Sequence, residues 1–79
     1  MNTLAEIQRI LSEQLALDPA AITPKADLKD DLKADSLDVV QVAMAVEETF
    51  AVEVEDDAVG GIVTVADLVA YVDKLLAAK

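Results

Sequence analysis

The sequence predicts an all-α domain, and three observations support this prediction. Apolar residues recur at helical spacing in three separate stretches of the chain. The two prolines and the glycine pair fall between those stretches and not within them. The core must be aliphatic, because 54% of the 79 residues are hydrophobic while Phe50 and Tyr71 are the only aromatic residues. These features favour a compact helical bundle formed by one domain over residues 1–79.

The first helix is expected over residues 3–16. Thr3 and Glu6 have the spacing of a capping box, which would make Thr3 the residue that caps the helix. The apolar residues that follow at helical spacing are Leu4, Ile7, Leu11 and Leu15.

A long connection, with room for a short helical turn, is expected over residues 17–34, because Pro19 and Pro24 interrupt any helix there. A loop of this length is uncommon in a compact domain unless side chains hold it against the core. The apolar residues expected to do so are Ile22, Leu28 and Leu32.

The second helix is expected to begin at Asp35 or Ser36 and to run to about Phe50. Asp35 can cap this helix, and Asp38 lies in its first turn, where the helix dipole favours an acidic side chain. Ser36 therefore need not act as the cap, and its hydroxyl is expected to be free.

The last third of the chain is expected to contain a short turn and a final helix. Residues 51–54 could be extended, and a short turn over residues 56–59 should end at the glycine pair. Thr64, with Asp67 three residues later, predicts the start of the last helix. The apolar stripe of that helix consists of Val65, Leu68, Val69, Val72, Leu75 and Leu76.

The second helix carries apolar residues on two opposite sides. One side is expected to face the core: Val39, Val42, Ala43, Val46 and Phe50. The other side carries Leu37, Val40 and Met44, beside Gln41, Glu47 and Glu48. Another helix could cover this second side, but its acidic flanks favour a surface that meets water and binds a partner.

The charge of the chain is strongly segregated. The net charge is −10, and residues 27–57 contain eleven acidic residues against two lysines. Such a surface is a poor partner for nucleic acid, and it should attract basic patches on other proteins. A role in solubility alone is the competing interpretation.

The residue types of the chain also limit its location and its chemistry. The chain has no cysteine, which fits a reducing compartment, and no apolar run long enough to span a membrane. It also lacks the basic and apolar segments of an export signal, so a soluble cytoplasmic protein is expected.

Ser36 is the residue with the clearest chemical significance. The chain has no histidine, so a serine nucleophile would lack its usual base, and an enzyme is disfavoured. The nearby acids lack the ligand spacing and central glycine of a calcium loop, and no metal site is expected. A hydroxyl at the positive end of a helix dipole would instead tolerate an attached phosphodiester. Ser36 is therefore interpreted as a residue that is modified, with simple helix capping as the alternative.

Two segments carry a resemblance to a known family. Residues 30–38 read Asp-Asp-Leu-Lys-Ala-Asp-Ser-Leu-Asp, and residues 44–50 read Met-Ala-Val-Glu-Glu-Thr-Phe. Both are similar to the acyl carrier proteins, and the similarity extends over the whole chain. The resemblance implies a four-helix bundle with a short third helix and a long loop between helices one and two. It also implies that a phosphopantetheinyl transferase attaches 4'-phosphopantetheine from coenzyme A to Ser36.

The resemblance further implies a non-catalytic, monomeric carrier of acyl chains as thioesters. Fatty acid synthesis is the expected pathway, and a free-standing polyketide or aminoacyl carrier is the alternative. The partners would be acyl-processing enzymes with basic docking patches. The residues expected to contact them are Asp35, Leu37, Asp38, Val40, Gln41, Met44, Glu47, Glu48 and Asp56.

The chain departs from the family pattern at three places. Lys33 occupies a position where the family usually has glycine, so a positive φ there would strain the backbone. Gln41 replaces a frequent glutamate, and residues 58–61 replace a more acidic stretch. The third helix is accordingly expected to be short.

Overall fold

The structure, a computed structural model, describes residues 2–78 apart from the side chains of Asp56 and Val59. The described residues are helical without any strand, and a single antiparallel bridge joins Asp27 to Thr64. The all-α prediction is therefore confirmed. The helices are α1 (Thr3–Leu15), α2 (Ser36–Phe50), α3 (Asp56–Val59) and α4 (Val65–Ala77), with a 3-10 turn at Pro19–Ala21. No helix in the described part of the chain is long and apolar enough to cross a membrane.

The start of α1 differs from the prediction. Asn2 is the capping residue, and its side-chain oxygen accepts a hydrogen bond from the Ala5 amide at 3.3 Å. The Thr3 hydroxyl instead donates to Asp73 Oδ1 on α4 at 2.7 Å. The predicted capping box of Thr3 and Glu6 is therefore wrong. Asn2 is an equally good cap one residue earlier, and a distant acceptor engages the threonine.

The core lies where α1 packs against both α2 and α4. The residues predicted to hold the long connection, Ile22, Leu28 and Leu32, are all buried, as expected. The connection also satisfies backbone groups near the start of α4, because the amides of Val65 and Ala66 donate to carbonyls in residues 24–26. The buried core residues from the helices are Ile7, Ile10, Leu11, Val42, Val46, Phe50, Val65, Leu68 and Val72.

The start of α4 agrees with the prediction. Thr64 Oγ1 accepts from the Asp67 amide at 3.1 Å, and Asp67 Oδ2 accepts from the Thr64 amide at 3.1 Å. The Val63 amide also donates to Asp67 Oδ2, at 3.2 Å. The hydrogen bonds from the backbone of Thr64 and Val63 favour the ionised carboxylate, so they lower the pKa of Asp67 from its ordinary value.

Among residues 2–78, three residues other than glycine adopt left-handed backbone conformations. Ala16 has φ of 55° and ends α1, and Ala51 has φ of 54° and ends α2. Lys33 has φ of 60°, which confirms the strain predicted at this position. The left-handed region is costly for residues that carry a Cβ atom. Neither Gly60 nor Gly61 has positive φ, so the left-handed positions of the described residues are all occupied by residues that pay this cost.

Candidate functional site

The Ser36 hydroxyl is accessible and unengaged. Ser36 is the first residue of α2, and its side chain is exposed. Asp35 Oδ1 accepts from the Asp38 amide at 2.9 Å, and Asp38 Oδ2 accepts from the Asp35 amide at 3.3 Å. The two aspartates thus form the whole capping box, and within residues 2–78 the Ser36 hydroxyl has no hydrogen-bond partner. The expectation that Asp35 and not Ser36 caps the helix is confirmed.

The turn before Ser36 is held by its buried neighbours. Leu32 and Ala34 are buried on either side of the exposed Lys33. The Ala34 amide donates to the Leu28 carbonyl at 2.9 Å. This arrangement fixes the backbone in its left-handed conformation at Lys33 and directs the chain into α2.

An apolar surface runs along α2 from Ser36. Leu37, Val40 and Met44 are exposed by 64%, 54% and 56%, and we call these three residues the exposed strip. No other element in the described part of the chain covers them, so the second apolar side of this helix is open to water. An apolar surface of this kind next to acidic residues is typical of a protein-binding site.

The polar residues predicted to accompany the exposed strip are placed in different ways. Asp35, Gln41 and Glu48 are exposed, whereas Asp38 is half-buried and engaged in the capping box. The side chain of Asp56 lies outside the described residues.

Glu47 is turned towards its own chain. It is half-buried, and its Oε2 atom accepts a hydrogen bond from the Val54 amide at 3.0 Å. Its carbonyl also accepts hydrogen bonds from the amides of Ala51 and Val52. The acceptors of Glu47 thus organise the chain reversal after α2.

A mostly apolar cavity of about 280 Å³ opens beside Ser36. Its floor includes Leu11 of α1 and Leu68 of α4, and one wall is formed by the core-facing side of α2. Val54 and Ile62 lie on the side formed by the chain after α2. The lining residues that complete the cavity are Leu28, Lys29, Ala34, Val39, Val40, Val42, Ala43, Val46 and Gly60.

The prediction of an extended stretch over residues 51–54 did not identify it as the wall of a cavity. Val52 and Val54 are half-buried and alternate with the exposed residues Glu53 and Glu55. This period of two is visible in the sequence, and it indicates an extended segment with one face towards the core. The hydrogen bond from the Val54 amide to Glu47 has no comparable signal in the local sequence.

A helical domain with an accessible serine beside an apolar cavity has the architecture of a covalent carrier, and comparisons with known proteins agree. The family described as "Phosphopantetheine attachment site" matches residues 5–72. Acyl carrier proteins from Helicobacter pylori strains G27 and HPAG1 are each 47% identical over 73 residues, which cover 92% of this chain and 94% of theirs. The crystal structure of an acyl carrier protein from Thermotoga maritima matches with a TM-score of 0.81 and 32% identity, covering 94% of this chain and 86% of that one.

The chain belongs to the acyl carrier protein family. It is therefore a non-catalytic carrier, and its prosthetic group is covalent 4'-phosphopantetheine. The start of α2 fits this group, because an accessible hydroxyl lies at the N-terminus of a 15-residue helix, where backbone amides favour a phosphate. The adjacent cavity could accommodate an apolar chain carried on the group.

Proposed function

We propose that Ser36 carries the 4'-phosphopantetheine arm and that the protein delivers fatty acyl intermediates between the enzymes of fatty acid synthesis. The observation that carries this proposal is the free, exposed Ser36 hydroxyl at the edge of the apolar cavity. Ser12, the only other serine, is poorly suited, because its hydroxyl donates to the Arg9 carbonyl at 2.8 Å within α1.

The residues around Ser36 prepare it for modification. Asp35 and Asp38 accept hydrogen bonds from each other's amides at the start of α2, so the serine hydroxyl is not required for capping. Attachment would place the phosphodiester at the positive end of the helix dipole. The arm supplies the thiol that this cysteine-free chain lacks.

The apolar cavity favours an alkyl chain as cargo. An apolar cavity of about 150 Å³ holds one benzene molecule, so about 280 Å³ has room for roughly ten carbon atoms. Such a lining offers few partners to the polar groups of an aminoacyl or polyketide intermediate, whose burial would cost free energy. This lining supports fatty acyl chains over the alternative cargoes.

Partner enzymes would dock on the exposed strip and its acidic flanks. The apolar side chains of the strip would be buried in the complex, and Asp35 and Glu48 would attract basic patches on the partner. The phosphopantetheinyl transferase and the acyl-processing enzymes would share this surface. The proposed docking surface also includes Asp38, Gln41, Glu47 and Asp56.

We also propose a four-helix architecture and a cytoplasmic location for the carrier. The short helix α3 would be the third helix of a four-helix bundle, and the protein would act as a monomer. The absence of cysteine from the sequence is compatible with the reducing cytoplasm.

Intact-mass measurement tests the attachment site. The unmodified protein is incubated with coenzyme A, Mg²⁺ and a phosphopantetheinyl transferase. The wild type and Ser12→Ala should gain the mass of one arm, whereas Ser36→Ala should gain nothing. A full gain by Ser36→Ala, or no gain by the wild type, would contradict the proposal.

A further inference from the structure

Two side chains fasten the chain segment that forms one wall of the cavity. Glu47 on α2 accepts a hydrogen bond from the Val54 amide at 3.0 Å. The Tyr71 hydroxyl on α4 accepts one from the Glu55 amide at 3.2 Å. We call these two hydrogen bonds the wall latch. The latch therefore joins consecutive amides of the wall segment to two different helices.

The wall segment has little other support from the backbone. Residues 52–55 form neither helix nor strand, and the left-handed Ala51 ends α2 immediately before them. The Val52 amide is bonded to the Glu47 carbonyl at 3.3 Å and the Glu55 carbonyl accepts from the Ala58 amide at 3.1 Å, which leaves the amides of Val54 and Glu55 dependent on the latch. Because the Val54 side chain lines the cavity, its backbone position fixes the cavity wall.

Local opening of the segment should therefore be controlled by the latch. Val52 and Val54 are only partly buried where they pack against the core, and a segment with partly buried apolar contacts and few backbone hydrogen bonds opens at lower free energy than the core does. A hydrogen bond to an ionised group is stronger than one between neutral groups, so Glu47 should hold the wall more firmly than Tyr71 does. Opening would expose the cavity between α2 and residues 54–62.

We propose that Glu47 and Tyr71 are positioning residues that keep the cavity wall closed over a carried acyl chain. The proposal rests on the proposed function and gives the Glu47 carboxylate a role inside the carrier, distinct from docking. The latch determines how often water reaches the carried chain and its thioester. A carrier with a weakened latch keeps the free Ser36 hydroxyl but shields its cargo less well.

Amide hydrogen exchange in the unmodified full-length protein tests the latch directly. Glu47→Ala should speed exchange at Val54 by about fivefold to tenfold, and Tyr71→Phe should speed it at Glu55 by about fivefold. Glu47→Gln keeps an acceptor oxygen and should remain within about twofold of the wild type. Glu13→Ala is the matched control, because it removes an exposed carboxylate from α1 outside the docking surface, and it should leave both amides unchanged.

Thioester hydrolysis of the loaded carrier gives the second measurement. Each variant is loaded with an acyl chain of eight carbons, and release of the free acid is followed at fixed pH. Glu47→Ala and Tyr71→Phe should release the acid several-fold faster than the wild type, whereas Glu47→Gln and the control Glu13→Ala should release it at a rate close to that of the wild type. A two-carbon chain, too short to reach deep into the cavity, should show little difference among the variants.

The outcomes separate the latch from the proposed function. Unchanged exchange at Val54 and Glu55, or equal hydrolysis rates for the eight-carbon chain, would overturn the latch. Faster exchange at every amide would also overturn it, because the side chains would then support global stability only. The attachment of the arm to Ser36 is judged separately, since loading precedes the hydrolysis measurement and amide exchange does not require the arm.

Discussion

Replacing the left-handed Ala16 by glycine should stabilise the protein. Ala16 has φ of 55° and ψ of 44° at the end of α1, and its side chain is exposed. The substitution therefore removes a steric cost from the folded state without removing buried surface. The same reasoning applies to the exposed Ala51 and Lys33, whose φ values are 54° and 60°.

The expected magnitude follows from two opposing terms. A residue with a Cβ atom pays about 1–2 kcal/mol in the left-handed region. Substitution by glycine removes this cost. It also stabilises the unfolded state by about 0.4–1 kcal/mol, because glycine gives the unfolded chain more conformational freedom. The net stabilisation should be about 0.5–1 kcal/mol for Ala16→Gly. In a domain of this size, this corresponds to a rise of roughly 2–8 °C in the melting temperature.

Thermal unfolding followed by circular dichroism measures the effect, and Ala70→Gly is the matched control. Ala70 is an exposed residue within α4, where the same substitution should destabilise the protein by about 1 kcal/mol. The two variants should therefore shift the melting temperature in opposite directions. A fall in the melting temperature of Ala16→Gly as large as that of Ala70→Gly would refute the reasoning.

Three further predictions concern acidity, charge and docking. Ionised Asp67 stabilises the folded protein, because the pKa of its carboxyl group is lowered by folding. This stabilisation is present at pH values above the ordinary pKa of 3.8, and it is lost as the pH falls through the lowered pKa of the folded state. Acid titration of stability should therefore show a smaller loss for Asp67→Asn than for the wild type. Moderate salt or Mg²⁺ should raise the melting temperature, because the acidic residues repel one another, and a scan with no rise would contradict this. Met44→Gln should weaken binding to the transferase by several-fold with little effect on stability. Val63 is comparably exposed but lies outside the exposed strip, so Val63→Gln should change neither binding nor stability.

Local sequence signals predicted the helix starts that depend on adjacent residues. Asp35 with Asp38 and Thr64 with Asp67 each form a capping box in the structure, because both partners lie within one turn. The exposed strip was also predictable, since helical periodicity places its three residues on one side of α2.

Features that depend on distant residues could not be predicted in this way. The Thr3 hydroxyl binds Asp73, a partner 70 residues away, so the sequence could not distinguish Thr3 from Asn2 as the cap of α1. The helical pattern placed Glu47 beside the exposed strip, but it did not reveal that the chain reverses at Ala51 and brings the Val54 amide to its carboxylate. The cavity likewise requires the long connection and the wall segment to be packed around α2.

Peptide mapping of the protein purified from its own cells tests the central claim most directly. Digestion and mass spectrometry would identify the peptide that carries the phosphopantetheine arm and the acyl group on its thiol. We predict the arm on the peptide that contains Ser36, with fatty acyl intermediates attached to it. A Ser36 peptide without the arm, or an arm that carries only aminoacyl or polyketide groups, would contradict the account.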